Sequence, residues 1–139
     1  MVVNLRRAMD WRSLTPVVVL VLVALAGVGV WHYLQRPAPL PAAEVASLVQ
    51  GKTAAGQWPQ GTRYLLYFAP ERGVVYREAE QEARQGTWRV EPGGALCVAL
   101  ESGEACYGVA RESGSLVWIL PGSGRTYPFS LRDGRDPAL

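Results

Sequence analysis

The sequence predicts a mainly β protein, in which one N-terminal transmembrane helix precedes a small antiparallel meander, partly closed into a barrel-like domain with one short helix. Three observations predict it. An uncharged, largely apolar stretch runs from Ser13 to Gln35. Beyond residue 52 the apolar period changes from 3.6 to 2. Alternating segments then recur about every ten residues, separated by turn residues. We therefore expect a cytoplasmic N-terminus (1–12), a transmembrane helix (13–35), a proline-rich spacer (36–41), a periplasmic β domain (42–132) and a flexible tail (133–139).

The N-terminal helix is long enough to cross a bilayer. Its 23 residues span about 34 Å at 1.5 Å per residue, against about 30 Å of hydrocarbon. Arg6, Arg7 and Arg12 precede it and only Arg36 follows, so the positive-inside rule predicts a cytoplasmic N-terminus and a periplasmic domain at a bacterial inner membrane. A cleaved signal peptide is the alternative. The apolar run exceeds the usual signal length and no small-residue cleavage site closes it, which favours an uncleaved anchor.

Small residues cluster in the outer half of this helix. Ala24, Ala26, Gly27 and Gly29 would let another helix approach closely, although strict GxxxG spacing is absent and a lipid-facing helix is the simpler interpretation. The only histidine, His32, lies near the membrane interface. It is a weak candidate ligand for a metal or a pigment, and a plain boundary residue is the expected alternative.

Composition excludes several function classes. Beyond Arg36 the chain carries ten Lys and Arg against eleven Asp and Glu, which disfavours a nucleic-acid partner because binding a polyanion needs a basic face. The exported part has no histidine, and its only aspartates, Asp133 and Asp136, lie in the expected tail. A Ser-His-Asp or Cys-His arrangement cannot be assembled there. We expect a non-catalytic protein with no cofactor.

The sequence of the exported part predicts a spacer, a short helix and seven strands. Alternate prolines between Arg36 and Pro41 favour an extended spacer. Val45, Leu48 and Val49 share one face of a short helix that Gly51 ends. Alternation and turn residues predict strands at 63–68, 73–76, 86–90, 95–100, 105–111, 116–120 and 126–131.

The two cysteines, Cys97 and Cys106, flank a predicted hairpin turn. A four-residue loop from Leu100 to Gly103 would place them opposite one another, whereas a two-residue loop would leave them diagonal on one face. A disulfide is the expected state in an oxidising compartment. A redox-active pair is the alternative, but CxxC spacing is absent.

Two further patterns resemble ligand-binding motifs, but we interpret both as structural features. Gly51-Lys52-Thr53 matches the end of a phosphate loop, but Ala46 stands where the first glycine belongs and a helix precedes it. We interpret it as a helix end followed by a strand. Glu78, Glu80 and Glu82 would share one face of a strand, which indicates a solvated edge more than a cation site, since Ca²⁺ needs six or more oxygen ligands.

The domain is rich in aromatic residues, most of which are expected in the core. Trp58, Trp118 and Tyr127 are the candidate contacts for a protein interface or a ligand, because Trp and Tyr dominate contact energies in docking surfaces and line small-molecule cavities.

In order, Gly51-Lys52-Thr53, Gly86-Thr87-Trp88, Leu96-Cys97 and Cys106-Tyr107 resemble the motifs of a loose group of small exported bacterial β domains of unknown function. The resemblance implies a periplasmic location and a disulfide, and it implies no activity. The Gly-Thr-Trp segment also resembles the lipocalin GxW motif, which opens that barrel, whereas here it lies in mid-domain.

The leading functional hypothesis is a single-pass, membrane-anchored accessory or assembly subunit of a larger membrane complex, respiratory or photosynthetic, with integral membrane proteins as partners. The alternative is a lipocalin-like periplasmic module that binds a small apolar ligand or lipid. The two hypotheses differ in the barrel interior. A ligand needs a cavity lined by aromatic residues, and a core filled by Trp88, Trp118 and Tyr64 would exclude one.

Overall fold

A computed structural model describes the backbone of residues 11–34 and 36–139 and the side chains of residues 16–31, 34 and 36–139. The chain divides into two compact units, which meet between Arg36 and Pro37. The expected cytoplasmic N-terminus, apart from the backbone of residues 11 and 12, lies outside the described residues, as does the side chain of His32.

The first unit contains one helix, α1 (Trp11–Leu34). Pro16 lies inside this helix and has no N–H group to donate to the residue four positions earlier. The large apolar side chains between Val17 and Leu34 are 52 to 72% exposed. Among the described residues, no helix combines the length and the apolar character that a membrane crossing requires.

The second unit is a closed β-barrel with one short helix, α2 (Ala42–Val49), which begins directly after Pro41. Gly51 follows α2 with a φ of +72°, the left-handed conformation common just past a helix end. The strands are β1 (Lys52–Gln57), β2 (Arg63–Phe68), β3 (Gly73–Glu78), β4 (Arg84–Val90), β5 (Leu96–Leu100), β6 (Gly103–Glu112), β7 (Ser115–Ile119) and β8 (Thr126–Asp133).

The strands pair antiparallel in chain order, and β8 pairs with β1 to close the barrel. This confirms the predicted antiparallel meander and extends it from a partly closed sheet to complete closure. Closure leaves no free edge in the barrel, which removes the row of unpaired backbone groups that an open sheet exposes.

Sequence patterns missed β1 because Lys52–Gln57 contains two alanines, one glycine and only one β-branched residue, a composition poor in strand formers. The structure gives the reason for those small residues. Gly56 lies opposite Tyr64, and a Cβ atom at Gly56 would come within 2.7 Å of the Tyr64 hydroxyl oxygen. The small residue on β1 makes room for a large one on β2.

Helix α2 closes the barrel end at which β1 begins. Its Val45 and Val49 are fully buried and belong to the same apolar cluster as the barrel interior. Just before the helix, the Leu40 N–H donates to the Val109 carbonyl of β6 at 2.7 Å. The opposite end carries the β1–β2, β3–β4, β5–β6 and β7–β8 connections.

The lower core, next to α2, is built around Trp88. Its ring meets Phe68 edge-on at 5.7 Å, and its indole N–H donates to the Ala69 carbonyl at 2.9 Å. The Arg72 guanidinium lies 4.3 Å from the ring centre, where the negative face of the indole attracts a cation. Two residues earlier, a Cβ at Gly86 would lie 2.0 Å from a backbone oxygen of the next strand. The Gly-Thr-Trp segment is therefore a packing motif.

The segment after β8, expected as a flexible tail, makes specific hydrogen bonds. The Thr53 hydroxyl donates to the Gly134 carbonyl at 2.7 Å and accepts from the Asp136 N–H at 3.1 Å. Farther on, the Arg77 guanidinium donates to the Ala138 carbonyl at 2.7 Å. The Gly51 carbonyl also accepts from the Gly134 N–H. The Gly51-Lys52-Thr53 segment therefore binds the C-terminal segment through hydrogen bonds. A phosphate-loop role does not fit that geometry.

Candidate ligand cavity

The open end of the barrel leads into a cavity of about 310 Å³. This volume lies at the lower end of the roughly 300–1,000 Å³ typical of small-molecule sites. Its inner wall is apolar, formed by Leu66 of β2 and by Leu96, Val98 and Leu100 of β5. These residues face inward because side chains alternate along each strand.

Four aromatic residues from four parts of the barrel also line the cavity: Trp58, Tyr76, Tyr107 and Trp118. Trp58 lies in the β1–β2 loop, and its ring stacks on Tyr64 with centroids 4.3 Å apart. Its indole N–H donates to the Tyr76 hydroxyl at 2.7 Å. The hydrogen bond and the stacking fix this ring at the cavity mouth.

A buried hydrogen bond lies deeper in the barrel. The Trp118 indole N–H donates to the Tyr64 hydroxyl at 2.6 Å, and the Trp118 ring stacks on Phe129 at 3.9 Å. Burial raises the pKa of Tyr64 to about 12, an effect that the Trp118 hydrogen bond partly offsets. Tyr64 therefore remains a neutral hydroxyl throughout the physiological range.

Polar groups lie at the mouth. The Tyr76 hydroxyl donates to a Glu78 carboxylate oxygen at 2.5 Å, and burial, followed by this hydrogen bond, raises the pKa of Tyr76. Arg84 begins β4 opposite Tyr76, with its guanidinium 5.4 Å from the Tyr76 ring centre. The half-buried Tyr107 lines the cavity between Trp58 and Trp118, at 5.8 and 6.2 Å respectively, and burial raises its pKa.

A second, larger depression of about 1010 Å³ lies on the outer surface, where β1, β2 and β8 meet. It is a broad groove open to solvent, and Tyr127, Leu65 and Arg77 contribute to its walls. Trp58 lines both the groove and the lumen cavity, so its ring separates the two. The lumen cavity is the better candidate site because it is more enclosed than the groove.

The disulfide between Cys97 and Cys106 is confirmed, and it lies on the outer face of the barrel. The two residues are directly opposed because Leu100 pairs with Gly103, the first of the two loop geometries expected. Arg89 crosses this region and donates to a Glu104 carboxylate oxygen at 2.7 Å. That hydrogen bond raises the pKa of Arg89.

The structure offers no intact metal-ligand set among the described residues. The one acidic and cysteine cluster there comprises Glu91, Cys97 and Cys106, and both of its sulfur atoms are joined in the disulfide. The three glutamates expected on one strand face are separated, since Glu78 ends β3 while Glu80 and Glu82 lie exposed in the following turn.

Of the candidate contact residues, Trp58 and Trp118 line the cavity and Tyr127 lines the outer groove. The small residues of α1 are exposed, and at Gly27 and Gly29 an added Cβ would meet nothing within 4 Å.

The sequence patterns did not single out Arg84 as a site residue. Its inward position follows from its pairing with Tyr76 across the β3–β4 turn.

A family model described as a protein of unknown function (DUF995) matches residues 17–115. The match takes in most of α1, all of α2 and strands β1 to β6, so the chain belongs to this family. This agrees with the expected kinship to small β domains of unknown function. No curated protein matches the chain.

Proposed function

We propose that this member of the DUF995 family is a membrane-tethered barrel that binds a small, mainly apolar molecule inside its lumen. The observation that carries the proposal is the aromatic-lined cavity of about 310 Å³ at the barrel end opposite α2. Its volume equals that of about ten water molecules at about 30 Å³ each. A ligand of about ten non-hydrogen atoms would fill it.

The residues around the cavity favour an apolar occupant with one polar end. Leucine and valine form the inner wall, while the hydroxyl, guanidinium and carboxylate groups are confined to the mouth. Binding sites of this type combine an apolar interior with a few placed polar groups that orient the ligand. Trp88, Trp118 and Tyr64, the residues expected to fill the interior, all belong to the buried core, and the cavity lies beside them with Trp118 in its wall.

The proposed site of action is the periplasmic side of a bacterial inner membrane. Support comes from the complete sequence between Ser13 and Gln35, part of which lies beyond the described side chains, and from the arginines that precede it. The Cys97–Cys106 disulfide is consistent with an oxidising compartment. A C-terminal reporter that is active only outside the cytoplasm would test this placement, and activity of a cytoplasm-specific reporter would refute it.

Ligand binding is tested with the full-length protein in detergent and water-soluble aromatic fragments such as phenol, indole and benzamide. We expect saturable binding with a Kd on the order of 1 mM, since about ten atoms contributing roughly 0.4 kcal/mol each give about 4 kcal/mol. Ligand-observed NMR detects such affinities.

A cavity-filling variant makes this test specific. Ala105 lines the mouth, so Ala105→Phe should abolish fragment binding. Ser115→Phe is the matched control, because Ser115 is exposed at the α2 end of the barrel. Equal binding by both variants, or no saturable binding by the unaltered protein, would refute the proposal.

A second candidate function, a non-catalytic accessory subunit of a membrane complex, is favoured by α1. The large apolar side chains that are described between Val17 and Leu34 are exposed, as are Ala24, Ala26, Gly27 and Gly29, as expected of a helix that packs in lipid against another helix. Gly27→Leu should then displace the protein from the complex on native gels after mild detergent extraction, whereas Val28→Leu should not. Migration of the unaltered protein only as a free monomer would exclude this function.

A further inference from the structure

Resting on the proposed ligand-binding function, we propose that the cavity selects an aromatic monocarboxylate, whose ring lies among the lumen aromatics and whose anionic group meets Arg84 and Tyr107 at the mouth. The polar groups around the mouth differ in whether they already have a hydrogen-bond or ion-pair partner. Two carboxylates there already have partners, and one cation does not.

The carboxylates of the mouth are engaged. Glu78 accepts the hydroxyl proton of Tyr76, and Glu104 accepts from the Arg89 guanidinium at 2.7 Å on the outer face. Each of these carboxylates is therefore a weaker site for a cationic ligand than a free carboxylate, because it already accepts a charge-assisted hydrogen bond.

Arg84, by contrast, has an unneutralised guanidinium. Within the described part of the chain no carboxylate oxygen lies within 4.0 Å of it, and its one recorded contact is with the face of the Tyr76 ring. The guanidinium lines the cavity and carries donors in a planar fork that fits a carboxylate. An anion at the mouth would therefore gain a partner without displacing one.

Tyr107 supplies the second polar contact. Its hydroxyl has no hydrogen-bond partner among the residues that the structure describes, although its ring is half-buried and lines the cavity. A hydroxyl can donate to a carboxylate oxygen. The same ring lies between Trp58 and Trp118, so a planar ligand beside it would contact aromatic faces.

The volume indicates the size of the group that the lumen can hold. A cavity with the volume of about ten water molecules accommodates one six-membered ring with a carboxylate. Benzoate is therefore a suitable probe. Benzamide is its neutral isostere, and cyclohexanecarboxylate retains the charge without the aromatic ring.

The experiment measures Kd for the three probes by ligand-observed NMR on the full-length protein at neutral pH. We expect benzoate to bind about tenfold more tightly than benzamide and at least threefold more tightly than cyclohexanecarboxylate. Arg84→Gln should abolish the preference of benzoate over benzamide, and Tyr107→Phe should reduce it. Arg132→Gln, which removes an exposed charge near the α2 end, should leave it unchanged.

The outcomes separate this inference from the function on which it rests. If benzamide binds as tightly as benzoate, or if Arg84→Gln preserves the preference, the inference is overturned while the ligand-binding function stands. If cyclohexanecarboxylate equals benzoate, selection for an aromatic ring is overturned. If none of the probes, phenol and indole included, binds in an Ala105→Phe-sensitive manner, both proposals fail.

Discussion

Reduction of the Cys97–Cys106 disulfide should lower the stability of the barrel by an amount that can be worked from its position. The bridge joins residues nine apart. In the chain-entropy treatment, a loop of that length restricts the unfolded chain by about 8.6 cal/mol/K, which is about 2.6 kcal/mol at 25 °C. The pairing of β5 with β6 does not depend on the bridge, so the reduced barrel should still fold.

Urea denaturation of the oxidised and the reduced full-length protein measures this effect. With a denaturant slope of about 1–1.5 kcal/mol/M for a domain of this size, the midpoint should fall by about 2 M on reduction. The melting temperature should fall by about 10–20 °C. Comparing two redox states of one chain avoids the cavity that replacing the fully buried Cys97 would create.

A double variant, Cys97→Ala with Cys106→Ala, provides the control, because its midpoint should not respond to the reductant. A reduction-induced shift below about 0.5 M in the unaltered protein would refute the reasoning. It would mean either that the unfolded chain keeps the β5–β6 hairpin or that the bridge strains the native barrel.

Three further predictions concern the barrel interior. Gly86→Ala should destabilise the barrel by more than about 2 kcal/mol in urea denaturation, because its Cβ would lie 2.0 Å from the Ala99 carbonyl oxygen. Gly93→Ala is the control, since a Cβ there would meet nothing within 4 Å. Equal destabilisation by the two variants would contradict the packing argument. Tyr64→Phe should cost about 1–3 kcal/mol in the same assay by leaving the buried Trp118 indole N–H without its acceptor, and an unchanged midpoint would show that the hydrogen bond is not formed. Because the pKa of Tyr64 is raised to about 12 in the folded state, its neutral hydroxyl contributes stability that is present below pH 10 and is lost as pH rises through 12. The free energy of unfolding should therefore fall in alkali, and it should fall less in Tyr64→Phe.

The barrel was predictable where strong patterns coincide with turn residues. Cys97 and Cys106 lie opposite one another because a single register follows from the Leu100–Gly103 pairing. Strand β2 was likewise predicted at residues 63–68, and its burial alternates in the structure, with Tyr64, Leu66 and Phe68 buried.

The cavity mouth was not predictable, because its composition depends on register across an irregular turn. Arg84 faces the lumen only because it pairs with Tyr76. The connecting turn contains Ala79 at a φ of +42°, a conformation that no local pattern indicates for alanine. The position of Tyr64 depends in turn on Gly56 of β1, and the pairing of β1 with β2 and β8 brings together distant parts of the chain.

The seam between β1 and β8 has a consequence for biogenesis. Seven of the eight strand pairings join neighbours in the chain, whereas Lys52 must find Asp133 after every intervening strand has formed. Pairings between strands far apart in the chain form slowly. The chain loses the conformational entropy of closing the long loop before any contact between the two strands compensates for that loss. Until β8 has formed, β1 and β7 each present an unpaired edge. Removing residues after 125 should leave those edges permanently available for self-association.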